Sequence, residues 1–300
     1  MKKLLALSLA LLTIASFAAC KKEDKKTDDL DDYRQEEVVY TSYTDGKSVF
    51  HFERIDTETV AIVGYEGPTE LHEITVPAVV YTGSDKTSTA KKVVRIEAQA
   101  FKEVSSIKKA TIPEGVTSIG RYAFAYCAHL ETVEFPKSLN TIEYGAFYES
   151  GLTSLTFPEL TAEELAAGCG ITALQDSIFW RCNSLKEVTI PGYVKSVGVA
   201  TFFECQSLEK VVLSEGVETV GDCAFVKCVN LEELHLPSTL KTGTDPLDDM
   251  AFLGSEKLTI DNVIIPDAAL IPEGSNLVEY RTEMEKYLKT ADEVEADQNA

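Results

Sequence analysis

Ile112-Pro113-Glu114-Gly115-Val116-Thr117-Ser118-Ile119-Gly120-Arg121-Tyr122-Ala123-Phe124-Ala125-Tyr126-Cys127-Ala128-His129-Leu130 is the stretch whose reading decides the fold. Its phenylalanine recurs in equivalent places as Ala100-Phe101, Ala123-Phe124, Ala146-Phe147, Ile178-Phe179, Thr201-Phe202, Ala224-Phe225 and Ala251-Phe252. The steps between these phenylalanines are 23, 23, 32, 23, 23 and 27 residues. A fixed period of this size marks a solenoid, in which each unit buries its apolar face only against its neighbours.

A second apolar track keeps the same beat. Leu130-x-x-Val133-x-Phe135-Pro136 aligns with Leu185-x-x-Val188-x-Ile190-Pro191 and Leu231-x-x-Leu234-x-Leu236-Pro237. Leu152-x-x-Leu155-x-Phe157-Pro158 fits after one deletion, and Leu71-x-x-Ile74-x-Val76-Pro77 fits without a preceding Ala-Phe. This is the leucine-rich-repeat pattern, with one short strand per unit lining a horseshoe. Alternation along the strand sends Val133 and Phe135 inward and Thr132 and Glu134 outward. The proline cannot donate to a ladder and stops the strand. Val116-x-x-Ile119 and its equivalents form a second extended piece, and the spacing around Phe124 predicts one helical turn. The expected fold is a mainly β leucine-rich-repeat solenoid, a right-handed superhelix of 23-residue repeats with short helical turns.

These residues resemble the BspA-like leucine-rich-repeat surface lipoproteins of Bacteroidetes. The carrying motif is Ile-Pro-x-x-Val-x-x-Ile-Gly-x-x-Ala-Phe-x-x-Cys-x-x-Leu, whole at residues 112–130. The resemblance covers residues 71–265. It implies extracellular display and adhesion to host or matrix proteins, and it supplies no catalytic residues. The chain departs from the pattern at 159–170, at 241–251 and after Leu258.

Domain organisation follows. Lys2-Lys3 and the apolar run Leu4 to Ala19 read as a signal peptide, residues 1–19. The run is shorter than the roughly 20 residues a membrane span needs. Phe17-Ala18-Ala19-Cys20 resembles a bacterial lipobox, which implies lipidation of Cys20. Residues 20–35 are polar and charged and read as a flexible tether. Lys22-Glu23-Asp24 looks like the surface-export signal of Bacteroidetes lipoproteins. The expected location is therefore the outer membrane, surface-exposed, with a periplasm-facing orientation as the alternative. Residues 36–70 read as a β-rich cap, with a hairpin around Asp45-Gly46. Residues 71–265 carry the repeats. Residues 266–300 read as a cap helix, spaced by Leu277, Tyr280, Met284, Tyr287 and Leu288, with an acidic tail.

The chain has 28 basic against 49 acidic residues, a net charge of −21. Nucleic-acid binding requires clustered cations and is excluded as a reading. Membrane contact is expected through the lipid anchor only.

Candidate sites are sparse. No His-Glu-x-x-His, nucleophile elbow, phosphate loop or zinc-type Cys-x-x-Cys occurs, so no enzyme, cofactor or metal is expected. An enzyme built on the 159–170 insertion is the minor alternative. The acidic clusters at 28–32 and 245–249 lack calcium-loop spacing. His51, His72, His129 and His235 are scattered. Cys127, Cys182, Cys205 and Cys228 each follow a repeat phenylalanine by three residues and read as free buried thiols. A Cys169–Cys223 pair stays open.

Two surfaces remain. One is the outward strand face: Thr132, Glu134, Ser154, Thr156, Glu187, Thr189, Lys210, Val212, Glu233 and His235. The other is Tyr148, Trp180 and Phe203, each following a repeat phenylalanine. These rings form an interaction patch if exposed, or a buried column if the insertion folds over them. The expected function is a cell-surface protein-binding or adhesion module, its partner a host, matrix or envelope protein. The alternative is a glycan-binding or envelope-assembly scaffold lipoprotein, with Trp180 stacking on sugar rings.

Overall fold

Val49-Phe50-His51-Phe52 alternates large apolar and polar residues, which suits a half-buried strand. In the computed structural model it begins β2, Val49–Arg54, paired antiparallel with β1, Thr41–Thr44, around Gly46 at φ +91. β3, Thr59–Glu66, pairs with the other edge of β2. The structure describes residues 41–44, 46–82, 89–241, 251–252 and 254–266, all within the unit Tyr40–Leu288. The signal peptide, Cys20 and its tether, both acidic clusters and the expected C-terminal helix lie outside the described residues.

From there the chain builds two parallel ladders. The first holds β4, His72–Thr75, β7, Ile107–Thr111, and β9, Thr132–Glu134. It resumes as β12, Glu187–Ile190, β14, Lys210–Leu213, β16, Glu233–His235, and β17, Val263–Ile264. The second ladder runs from β3 through β6, Thr89–Ile96, to β8, Ser118–Ile119, and β10, Thr141–Ile142. It resumes as β11, Ala173–Leu174, β13, Ser196–Val197, and β15, Thr219–Val220. β5, Val79–Thr82, pairs antiparallel with β6 beside this path. Equivalent residues of successive units face one another: Glu187 pairs with Lys210, and Lys210 with Glu233.

The sequence expectation of a helical turn around each phenylalanine is corrected. That segment is a run of tight turns, left-handed two residues before and two after the ring, as at Tyr122 (φ 54) and Tyr126 (φ 60). Left-handed backbone is unfavourable for a residue with a Cβ. Here it interrupts the helical pattern and aims amides at the next unit. Tyr122, Phe124 and Tyr126 donate from their backbone N–H to the carbonyls of Tyr144, Ala146 and Tyr148 at 3.2, 2.7 and 2.8 Å. Helical spacing and this turn share an i, i+3 inward pattern, so periodicity does not separate them. The only α-helix among the described residues is α1, Ala162–Ala166, within the insertion. A capping box joins Thr161 and Glu164 at its start.

The core is a file of phenylalanines. Phe101, Phe124, Phe147, Phe179, Phe202 and Phe225 are fully buried. From Phe101 to Phe252, successive ring centroids lie 4.7 to 5.5 Å apart and within 14° of parallel. This is within the range of favourable stacked ring pairs. Tyr65 and Phe50 close the file at its N-terminal end, 5.2 and 6.4 Å from Phe101. Replacing Phe124 by Ala leaves a void between two neighbouring rings and is expected to cost about 3–5 kcal/mol. Denaturant unfolding measures this, and an unchanged midpoint would contradict the ring's place in the file.

Candidate interaction face

Every second residue of the first ladder points away from the phenylalanine file. Val188, Val211 and Leu234 are buried, whereas Glu187 and Thr189 are exposed and Lys210, Val212, Glu233 and His235 are half-buried. The other half of the face follows the same rule. Thr132 is half-buried, and Glu134, Ser154 and Thr156 are exposed, beside buried Val133 and Leu155. Alternation with the buried positions therefore turns all ten strand-face residues outward.

Charges on this face pair across units. Lys109 Nζ lies 2.6 Å from Glu134 Oε1, and Thr111 Oγ1 donates to Glu134 Oε2 at 2.8 Å. These bonds, that from Lys109 foremost, hold the Glu134 carboxyl below its ordinary pKa. Lys210 Nζ lies 2.7 Å from Glu233 Oε1, which also meets His235 Nε2. The Glu233 carboxyl is lowered for the same reason, with Lys210 the larger cause. Such solvated pairs add little stability. They leave Glu134 and Glu233 each matched by a lysine of the neighbouring strand.

The face has a seam. The first ladder breaks after β9, and the next unit contributes only the single bridge Leu155–Val188. Two sequence features cause this. The deletion before Leu152 draws the chain tight at Gly151, where a Cβ would sit 2.1 Å from the Ala128 carbonyl oxygen. The insertion then leads the chain away, and it is fastened by Lys137 Nζ to Glu164 Oε1 at 2.9 Å and Tyr193 Oη to the Pro158 carbonyl at 2.8 Å. At the seam lies a cleft of about 400 Å³. Thr132 and Glu134 line one side, Ser154 and Thr156 the other, with Phe135 and Phe157 between them. Sequence reasoning named the four outward residues but missed the cleft. The deletion and the insertion in one unit were its signal.

Of the two readings of the aromatic residues, the buried column is the one the structure holds. Tyr148, Trp180 and Phe203 do form a column, with centroids 5.7 and 4.8 Å apart. Trp180 and Phe203 are only 6% and 4% exposed, so the column is packed and is no binding platform. The insertion is anchored on Lys137 and Tyr193, in the segments between the two ladders. The Trp180 indole Nε1 is buried without a hydrogen-bond partner, which offsets part of the gain from burial.

Residues 94–169 and 172–269, over half the chain, match the BspA type leucine-rich repeat region, in six copies. The chain belongs to this family. Solved structures of similar proteins include a leucine-rich-repeat protein of Treponema pallidum, 20% identical over 79% of this chain and 94% of that one, with a TM-score of 0.47. Another is from Bacteroides capillosus, 24% identical over 57% and 96%, with a TM-score of 0.34. A third is a leucine-rich cell surface protein of Faecalibacterium prausnitzii, 19% identical over 78% and 98%, with a TM-score of 0.26. No curated protein matches the chain. Leucine-rich repeats generally mediate protein–protein interaction, and proteins with BspA-type repeats are often surface-associated. Among the described residues, no helix is long and apolar enough to cross a membrane, and no cluster of three or more His, Cys, Asp or Glu could hold a metal ion.

The recurrent cysteine of the BspA-type motif has a structural task. Cys127 Sγ donates to the Phe101 carbonyl at 3.1 Å, Cys182 to Phe147 at 3.2 Å, Cys205 to Phe179 at 3.2 Å and Cys228 to Phe202 at 3.3 Å. Ser255 repeats the bond to Phe225 with a hydroxyl. All four thiols are free and fully buried. Burial pushes Cys127, Cys182 and Cys228 up to about 12, and Cys205 well above its ordinary value. A thiol held protonated is a poor nucleophile. Cys228 faces the interior while His235 meets Glu233 outside, so the two form no dyad. Cys169 is a free thiol, so the Cys169–Cys223 pair is not formed.

On the turn side, Glu204 ties three units together. It lies 2.7 Å from Arg181 Nε and 3.1 Å from Lys227 Nζ, and Arg181 also reaches Glu149 at 3.1 Å. Burial alone would raise the Glu204 carboxyl, but the bonds from Arg181 and Lys227 outweigh it and leave the pKa lowered.

Two outcomes are expected. Iodoacetamide at pH 8 leaves Cys127, Cys182, Cys205 and Cys228 unmodified in the folded protein and alkylates them in denaturant. Peptide mapping reads this, and native labelling at the rate of a free thiol would refute the burial. Glu204→Gln lowers the melting temperature at pH 7. A depressed carboxylate contributes above its unfolded pKa of about 4.3 and loses that contribution as pH falls through the folded value. The gap between the two melting curves therefore narrows below about pH 4. A gap independent of pH would contradict the ionic role.

Proposed function

We propose that this chain is a lipid-anchored protein of the outer membrane, displayed at the cell surface, whose strand face binds a protein partner without catalysis. The observation that carries this reading is the face itself. Ten outward residues from successive units point away from a shared core, and none of them is buried. A surface of that kind recognises by many matched contacts across units. The thiols that could serve as nucleophiles are instead spent on backbone bonds inside the turns.

Anchoring rests on the sequence. Cys20 follows small residues at the end of an apolar leader, and acyl chains on it would hold the protein by burial of their methylenes. Lys22-Glu23-Asp24 supports export to the outer leaflet over the periplasm-facing orientation. Residues 20–35 serve as the tether, 36–70 and 266–300 as caps, and 71–265 as the binding body. The partner is a host, matrix or envelope protein.

Photocrosslinking on intact cells tests the reading. A crosslinking residue at Thr189 or Val212 is expected to capture a discrete protein partner, whereas one at Glu97, outside the first ladder, is not. External protease is expected to remove the wild-type repeats, and Cys20→Ala to release the protein from the membrane fraction. Equal capture from both positions would refute use of the strand face. Protease resistance in intact cells, or membrane retention of the Cys20 variant, would refute surface display by a lipid.

A further inference from the structure

The cleft at the seam differs from the rest of the strand face. Elsewhere outward side chains stand on paired strands; here the ladder breaks and a recess opens between hydroxyl-bearing walls, with the core rings Phe135 and Phe157 in its lining. We infer that this cleft is a binding site for a neutral saccharide.

Three observations carry the inference. First, its volume of about 400 Å³ falls in the range of small-ligand clefts, about 300–1,000 Å³. Second, the hydroxyls of Thr132, Ser154 and Thr156 line it from both sides. No side-chain bond within the described structure occupies them, and each both donates and accepts, as sugar hydroxyls do. Third, its charge is matched. Glu134 is bound by Lys109 at 2.6 Å and Thr111 at 2.8 Å, so the site presents an acceptor and a donor side by side without a lone ion. That arrangement suits vicinal hydroxyls. An anionic sugar would meet Glu134 and a chain of net charge −21. Phe135 and Phe157, 9% and 8% exposed, belong to the core and close the floor of the cleft without serving as a stacking platform.

An extended peptide fits less well. Strand addition needs free backbone groups, and at the seam Thr153 N–H already donates to the Glu131 carbonyl while Leu155 is bridged to Val188. A charged peptide side chain or terminus would find no unmatched partner. This site differs from the sugar platform expected at Trp180, which is packed away. The inference goes beyond protein binding by the face and stands or falls separately from it.

The test uses the full mature chain on an array of neutral and sialylated oligosaccharides together with immobilised decapeptides. Any hit is then titrated by calorimetry. Neutral oligosaccharides are expected to bind, with sialylated counterparts weaker. Ser154→Ala and Thr156→Val are each expected to weaken binding by about three- to tenfold, the effect of one lost hydrogen bond. Thr219→Val, at an exposed threonine of the second ladder, leaves the affinity unchanged. Both altered cleft residues are exposed, so melting curves are expected to match wild type. An array blank for neutral glycans would overturn the inference. So would saccharide binding indifferent to Ser154 and Thr156, or peptide binding that depends on them in place of sugar. Loss of the saccharide with crosslinking at Thr189 retained would remove the cleft site and leave the protein-binding face.

Discussion

No unit of this solenoid has an interior of its own. A regular unit supplies one phenylalanine, two short strands and a tight turn, and is completed by the next unit. The strongest expression of this dependence is the turn. Tyr122 and Tyr126 hold left-handed backbone, which is unfavourable in isolation, so that their amides can reach the carbonyls of the following unit. The cysteine thiols repeat the logic from the other direction, each returning to the phenylalanine carbonyl of the preceding unit. Ring stacking, strand ladders and turn bonds all run along the same axis. The fold is thus a chain of nearest-neighbour interfaces.

That constraint also shapes the functional surface. Because Val133, Leu155 and Val188 must point into the file, their flanking residues must point out, and the ladder sets their spacing at roughly 4.8 Å between strands. Substitution on the outward side leaves the core untouched, so the face is free to carry recognition. Where one unit loses a residue before Leu152 and gains the 159–170 insertion, stacking continues through Phe147 and Phe179, 5.5 Å apart, while the strand ladder thins to a single bridge. The core tolerates the irregular unit, and the surface registers it as a cleft.

Much of this was legible in the sequence, for a physical reason. A nearest-neighbour fold repeats its demands in register, so Phe124, Cys127, Leu130 and Val133 recur with their equivalents and give away the inward set. Three features were not legible. Helical spacing and the observed left-handed turn bury the same residues, so periodicity could not tell them apart. The fate of Trp180 and Phe203 depended on what packs beside them, which repetition does not encode. The cleft arose where the repeat was broken, and a pattern says least where it fails. The thiol bonds to the phenylalanine carbonyls were hidden in the same way, since recurrence showed that a small buried side chain was wanted but not what it holds.

The central claim is that successive turns are bonded along one axis around a shared core. Native-state hydrogen exchange addresses it most directly. The amides of Phe124, Phe147, Phe179, Phe202 and Phe225 each donate to the following unit, at 2.7 to 2.9 Å. These five amides should exchange slowly and respond to denaturant as a block, far behind amides in the insertion. Exchange of the phenylalanine amides as fast as that of an unstructured chain would contradict the stacked arrangement.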